Sequence, residues 1–209
     1  MSDVQVIGLP QSNYVWAVRI ALAEKGVDHE NIPAPPHSPE AVAVHPMGKI
    51  PVLRHGGVAL GESRAIIDYI DATFDGSRLV PAERDAALRS DTWTSIIATS
   101  IEPLLVRQYF FAYVLPGTVD GLPDRKVVEA LLPKVEAVLD VLETALGSGA
   151  VGADPFGRVD AYLVPILFYV RNMPEGGPMI AARPHLSAYL DRSLARPSVQ
   201  ATMPPPLPG

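Results

Sequence analysis

The rhythm of apolar and polar positions changes near residue 76. Before that point short alternating runs trade places with stretches of helical spacing; beyond it only helical spacing recurs. Val4-Gln5-Val6-Ile7-Gly8-Leu9 alternates and predicts a strand. Pro10-Gln11-Ser12-Asn13 is a turn rich in capping residues. From Tyr14 onward, Val18, Ile20, Ala21 and Leu22 mark a helix closed by Gly26. A weaker strand is expected near His29 to Ile32, followed by a proline-rich loop from Pro33 to Pro36. His37-Ser38-Pro39-Glu40 starts a short helix that stops before His45-Pro46. Gly48-Lys49-Ile50-Pro51-Val52-Leu53 predicts an apolar strand entered through Pro51, whose missing N–H suits a strand's first residue rather than a ladder centre. Gly56-Gly57 is a hairpin turn and Val58-Ala59-Leu60 a second short strand. Glu62-Ser63 then opens a helix with Ile66, Ile67, Ile70 and Phe74 on its apolar face, ending near Asp75-Gly76. A helix start of this kind presents backbone N–H groups and a positive dipole end to an anion such as a carboxylate.

After the linker Gly76 to Pro81, Asp85 to Leu115 predicts one or two helices with Trp93, Ile96, Ile97, Ile101 and Leu104 or Leu105 inward. Pro103 is expected to kink or break this region, and Pro116-Gly117 to end it. A second helix is predicted from Asp124 to Leu146, with Leu131, Val135, Val138 or Leu139, Leu142 and Leu146 at helical spacing. Leu163, Leu167 and Val170 mark a buried third helix. Short helices are expected near Leu186 to Leu194 and Ser198 to Met203, and the tail Pro204 to Gly209 reads as polyproline or disorder.

At 209 residues, 48% hydrophobic and 19% charged, the chain is long enough to bury a core in one or two domains. Its formal net charge of −6 argues against a nucleic-acid surface. No apolar run is long enough to span a bilayer, and Met1-Ser2-Asp3 lacks the basic start of a secretion signal, so the expectation is a cytoplasmic protein without a membrane partner. Cysteine is absent, which excludes disulfides, thiolate metal sites and any protein thiol as catalyst. His37 and His45 have no further ligands at metal-site spacing, so no metal is expected.

Lys49-Ile50-Pro51-Val52-Leu53, the short hairpin, and Glu62-Ser63-Arg64-Ala65-Ile66-Ile67 together resemble the glutathione-binding half of a cytosolic glutathione transferase. The resemblance implies an α/β N-terminal thioredoxin-like domain of order βαβαββα, joined to an all-α C-terminal helical domain. The boundaries expected are residues 1–76 for the first, 77–84 for a linker, 85–203 for the second and 204–209 for the tail. It further implies a homodimer, with the helix after Glu62-Ser63 packing against the other subunit's helical half. Gly157-Arg158-Val159-Asp160 resembles the family's capping box, with glycine at the cap and Asp160 reaching back to the cap N–H.

Ser12 is the first choice for chemistry. It precedes a helix, where its hydroxyl meets free N–H groups and a positive dipole end that together stabilise a thiolate. It also lies fourteen residues before Gly26, the spacing of the activating serine in serine-type glutathione transferases of the phi, tau and zeta kinds. Asn13 and then Tyr14 are the alternatives, Tyr14 also as part of the electrophile pocket. The zeta pattern of two serines and a cysteine before a Trp-x-Val-Arg-Ile-Ala-Leu helix is kept at Ser12, Trp16 and Val18 to Leu22, but Asn13 and Tyr14 depart from it, which counts against the zeta-type isomerase.

By the same resemblance, Pro51 is cis and Ile50 pairs by its backbone with the cysteinyl part of glutathione, while Glu62 and Ser63 hold the γ-glutamyl carboxylate. Lys49 and His37 are candidates for the glycyl carboxylate; phi-type enzymes carry a histidine one residue earlier than His37, in a similar His-x-Ser-Pro-Glu stretch. Arg107, Phe110 and Tyr113, at i, i+3 and i+6, are expected to line an electrophile pocket. The function expected is conjugation of the co-substrate glutathione to a small hydrophobic electrophile, aromatic ones included. The alternatives are a glutathione-dependent isomerase or ether lyase, and a non-catalytic binding or scaffold protein.

Overall fold

Val4–Ile7 (β1) is the hub of a four-stranded sheet in the order β2-β1-β3-β4. It pairs in parallel with Glu30–Ile32 (β2) and antiparallel with Val52–His55 (β3), which forms a hairpin with Val58–Gly61 (β4). Asn13–Glu24 (α1) crosses from β1 to β2, Pro39–Val42 (α2) precedes β3, and Ser63–Thr73 (α3) follows β4. The expected order βαβαββα is therefore present. The computed structural model describes residues 3–115, 118 and 121–206, so Pro116-Gly117 and residues 207–209 of the tail lie outside the described residues.

α1 is buried almost all round, from Val15 to Leu22, because β1, α3 and a late helix each cover part of it. A helix covered on every side loses its amphipathic stripe, which is why Trp16, Ala17, Val18, Ile20, Ala21 and Leu22 are all apolar, interrupted only by the buried Arg19. Trp16 is fully buried and its Nε1–H donates to Thr202 Oγ1 at 3.1 Å. Burying an indole removes roughly 200 Å² from water, worth about 5 kcal/mol before ordering costs. α3 is amphipathic by contrast, with Ile66, Ile67 and Ile70 fully buried, and Phe74 half-buried at its end against His55.

The chain divides into two compact units, one holding the described residues up to Arg84 together with those from Ala195 onward, the other Asp85–Leu194. This differs from a helical half running unbroken from 85 to 203. The reason is local: Pro197–Ala201 packs on α1, Arg196 Nη2 pairs with Glu24 Oε2 at 2.9 Å, and Thr202 bonds Trp16. A buried ion pair, Lys25 to Asp71 at 2.8 Å, ties the end of α1 to α3, and Asp71 also accepts from Leu79 and Val80 in the linker.

The second unit is helical. Arg84–Ile96 (α4) continues through a wide π turn at Ile97–Ile101, a short α segment at Glu102–Leu104 (α5), a second π stretch at Leu105–Phe110 and Phe111–Val114 (α6). Pro103 thus sits inside a continuous helical run instead of breaking it. The widened i→i+5 pattern on both sides absorbs the proline's missing donor. Arg125–Gly147 (α7) buries Leu131, Val135, Leu139 and Leu142, choosing Leu139 over Val138. Arg158–Arg171 (α8) is the core helix, with Leu163, Leu167 and Val170 buried. Gly157 N–H donates to Asp160 Oδ2 at 2.9 Å, the half of a capping box that a glycine cap allows. Asp160 also accepts from the buried Tyr189 hydroxyl at 2.8 Å. Arg158, 2% exposed, is held by Thr94 and Asp91. Gly176–Ala181 (α9) was not anticipated; its double glycine and proline hide a short helix from pattern reading. Pro184–Leu194 (α10) lies close to its expected place, as does Pro197–Ala201 (α11) in the first unit. Among the described residues no helix is long and apolar enough to cross a membrane.

Candidate functional site

The register of the sheet gathers the candidate residues of the first unit at one end. Ile7 pairs with Ile32 on one side and Val52 on the other, and Val52 pairs with Gly61. This row closes β1 and β2, opens β3 and closes β4. The loops carrying Ser12, His37, Ile50-Pro51 and Glu62-Ser63 all leave from it. Gly8 makes the junction tight: a Cβ there would meet Val15 Cγ2 at 2.5 Å and Ile50 Cβ at 3.2 Å. The loop before α1 and the loop before β3 are therefore in direct contact.

Ser12 is the N-cap of α1, in extended conformation, half-buried. Its Oγ accepts from Val15 N at 3.5 Å, the outer limit of a hydrogen bond. That contact uses a lone pair and leaves the hydroxyl proton to donate elsewhere. No acidic side chain occupies the first turn of α1, so nothing there offsets the positive helix end. Asn13 is buried at 5% exposure within the first turn, and Tyr14 is half-buried beside it.

The Ile50–Pro51 peptide is cis, and Pro51 is buried while Lys49 is exposed. His37, exposed at positive φ, donates its N–H to Gly48 O at 2.7 Å, and a Cβ on Gly48 would lie 2.7 Å from His37 Nδ1. The His37 and Lys49 loops are thus packed together by a glycine that no other residue replaces without displacement.

Glu62 stands at the N-cap position of α3 with φ 63, and its side chain does not cap the helix. Its Oε1 instead meets His45 Nε2 at 2.8 Å. From the sequence alone His45 is a candidate only for metal ligation. It is buried, and its Nδ1 accepts from Met47 N at 3.1 Å, so both ring nitrogens are engaged. Ser63, 7% exposed, is the first residue of α3.

In the helical unit the expected face of Arg107, Phe110 and Tyr113 is not formed. The i, i+3, i+6 rule assumes α geometry, and Leu105–Phe110 is π-helical. Arg107 pairs with Glu102 at 3.0 Å and lies 5.3 Å over the Phe111 ring. Phe110 is 4% exposed and stacks on Tyr169 at 4.5 Å, a core contact. Tyr113 donates to Glu175, which also pairs with Arg125 at 2.7 Å. Burial alone would raise the Glu175 carboxyl, but the bonds from Tyr113 and Arg125 outweigh it and hold it below the usual range. An open groove of about 510 Å³ in this unit is lined by Arg107, Phe111, Leu115 and Val127 among others. Phe111, not Phe110, is the aromatic it presents. Among the described residues no group of three or more His, Asp or Glu is placed to hold a metal ion.

Two family models match the chain: "Glutathione S-transferase, N-terminal domain" over residues 6–78 and "Glutathione S-transferase, C-terminal domain" over residues 125–192. Glutathione S-transferase 3 of Zea mays is 34% identical, covering 99% of this chain and 98% of its own. A solved apo structure of glutathione S-transferase III is 31% identical, with TM-score 0.83 over 98% of this chain and 99% of that one. Glutathione S-transferase I from maize, solved with an atrazine–glutathione conjugate, is 27% identical, with TM-score 0.83 over 95% of each chain. Sequence motif, sheet register, helical second unit and these matches converge: the chain belongs to the glutathione S-transferase family, as a transferase with a thioredoxin-like first unit and phi-class plant enzymes among its relatives.

Proposed function

We propose that this protein transfers the glutathione thiolate to small hydrophobic electrophiles, aromatic ones included, and that the Ser12 hydroxyl stabilises the thiolate. The observation that carries the reading is the single row of the sheet from which the Ser12 loop, Ile50-Pro51 and Glu62-Ser63 all depart. A tripeptide carrying a thiol and two carboxylates matches that set. Helix α1 offers a hydroxyl and a positive end for sulfur, and Ile50 offers a backbone beside the cis proline. Ser63 at the start of α3 offers donors for a carboxylate. His37 and Lys49 supply positive or donor groups for the second carboxylate. The groove in the helical unit sets Phe111, Leu115 and Val127 beside the polar Arg107, Gln108, Thr118 and Asp124, so it offers one aromatic and partly apolar wall to a small electrophile. A maize relative's structure holds the glutathione conjugate of atrazine, a halogenated heteroaromatic, and this supports the same electrophile class here.

A free thiol has a pKa of about 8.5, and lowering it by two units takes roughly 2.7 kcal/mol. One hydroxyl donor to a charged sulfur contributes about 1.5–3 kcal/mol, so it supplies a large share, with the helix end adding to it. The test is the ultraviolet thiolate absorbance of bound glutathione, titrated with pH. Ser12→Ala is expected to raise the thiol pKa by about one to two units and to lower turnover near neutral pH. An unchanged titration in Ser12→Ala, with a shift in Asn13→Ala or Tyr14→Phe, moves the role to that neighbour. No shift in any of the three leaves the thiolate to backbone N–H groups and refutes a side-chain catalyst.

A further inference from the structure

The Glu62 carboxylate is held by a residue outside the recognised motif. Its side chain is 69% exposed, yet it is anchored from below by an imidazole whose side chain is only 5% exposed. His45 is fixed on several counts. Its backbone N–H donates to Ala41 O and its carbonyl accepts from Gly48 N, each at 2.8 Å. Its Nδ1 accepts from Met47 N, so the ring proton resides on Nε2 and is donated to Glu62 Oε1 at 2.8 Å. Gly61 leaves room for the ring: a Cβ there would lie 2.7 Å from His45 Cδ2. Glu62 itself keeps φ 63, a left-handed conformation that a non-glycine residue adopts when its surroundings hold it there. The buried ring, the glycine that admits it and the unusual backbone all act on one exposed carboxylate. None is needed to cap α3, since Glu62 makes no side-chain cap bond.

Charge then assigns the use of that carboxylate. At the γ-glutamyl end glutathione carries a carboxylate and an ammonium. One carboxylate does not hold another, so the anionic group belongs to Ser63 and the start of α3, while Glu62 suits the ammonium. We propose that His45 is a positioning residue for glutathione recognition: its buried Nε2–H holds the Glu62 carboxylate in place for the γ-glutamyl ammonium. This rests on the glutathione reading above. The ring binds one carboxylate oxygen, and among the described residues the other has no partner, which leaves it for the ligand.

The test compares two ligands, glutathione and N-glutaryl-cysteinylglycine, which has the same skeleton without the ammonium. Dissociation constants are measured by calorimetry, and KM and kcat by steady-state kinetics with an aryl halide. His45→Leu fills the pocket without a donor, and His45→Gln restores one. His45→Leu is expected to weaken glutathione binding and raise its KM by about five- to twenty-fold, with kcat at saturation changing less than about two-fold. Binding of the glutaryl analogue should change less than about two-fold, and His45→Gln should recover most of the loss. If His45→Leu does not fold, His45→Met carries the same comparison with a more adaptable side chain. Equal losses for both ligands, or no loss for glutathione, overturn the proposal while leaving the glutathione site standing. Failure of the unsubstituted protein to bind glutathione overturns both.

Discussion

Replacing Asp71 by asparagine should destabilise the first unit more than any other isosteric change outside its site. The carboxylate is 8% exposed and accepts from Lys25 Nζ at 2.8 Å, Leu79 N–H at 2.7 Å and Val80 N–H at 3.2 Å. Lys25 is 2% exposed and also donates to the Asp71 carbonyl at 3.3 Å. Asp71→Asn keeps the shape but strands a buried ammonium, a loss of about 3–5 kcal/mol. Lys25→Met leaves the carboxylate with its two backbone donors and should be milder, about 2–3 kcal/mol. The double variant should cost less than the sum, because neither charge is then stranded. A chain of this size shifts its Tm by about 2–4 °C per kcal/mol, so Asp71→Asn should lower it by roughly 6–20 °C. The assay is scanning calorimetry at pH 7 and one protein concentration, since any oligomer makes Tm concentration-dependent. The pH dependence has a defined sign. Burial alone would raise the Asp71 carboxyl, but the Lys25 hydrogen bond and the two linker amides outweigh it and hold it below its ordinary 3.8. A depressed carboxyl stabilises the fold fully above the ordinary aspartate range and loses that contribution as pH falls through its folded value. The gap between the unsubstituted protein and Asp71→Asn should therefore be widest near neutral pH and shrink below pH 3.8. A Tm within 2 °C of the unsubstituted protein at pH 7, or a gap that widens with acid, would refute the reasoning.

Ser63→Ala should weaken glutathione binding by about 1–3 kcal/mol, read by calorimetry, because a charged carboxylate loses a donor at the start of α3. Asp160→Ala removes the acceptor of both Gly157 N–H and the Tyr189 hydroxyl, and should lower unfolding free energy by about 2–4 kcal/mol in urea titrations; a loss below 1 kcal/mol would show that water replaces both bonds. A two-fold symmetric homodimer is expected, with α3 and its Arg64–Asp68 pair at the interface, and light scattering at micromolar concentration should give twice the chain mass.

The first unit was legible because its signals were local. Gly26, Gly48, Gly56 and Pro51 punctuate it at positions where the backbone takes positive φ or a cis bond, and each lies where the pattern put a helix end, a turn or a strand start. Ile66, Ile67 and Ile70 stated the buried face of α3 directly. The helical unit was less legible because pattern reading assumes one period. Two π stretches in the run from Arg84 to Val114 set the phase back, so Phe110 turns into the core and Phe111 outward. His45 was missed for a different reason. Its partner Glu62 is seventeen residues away and joined to it only by tertiary packing; the nearest local hint was Gly61, whose need for glycine shows only once the ring is beside it. The return of Ala195 and the residues after it to the first unit was likewise invisible, since Thr202 meets Trp16 across 186 positions.

That return has a consequence for how the chain is made. In linear order the helical unit is an insertion within the first unit, whose last helix emerges from the ribosome only after the whole insertion. Until Pro197–Ala201 has been synthesised, one side of α1 lacks its cover and the Trp16 indole N–H lacks its acceptor. The helical unit can close on itself first, while α1 waits for the final stretch to complete its cover. A fragment stopped at Arg84 is then expected to expose an apolar strip along α1 and to bind hydrophobic dyes, and adding residues 195–206 as a separate peptide should suppress that binding.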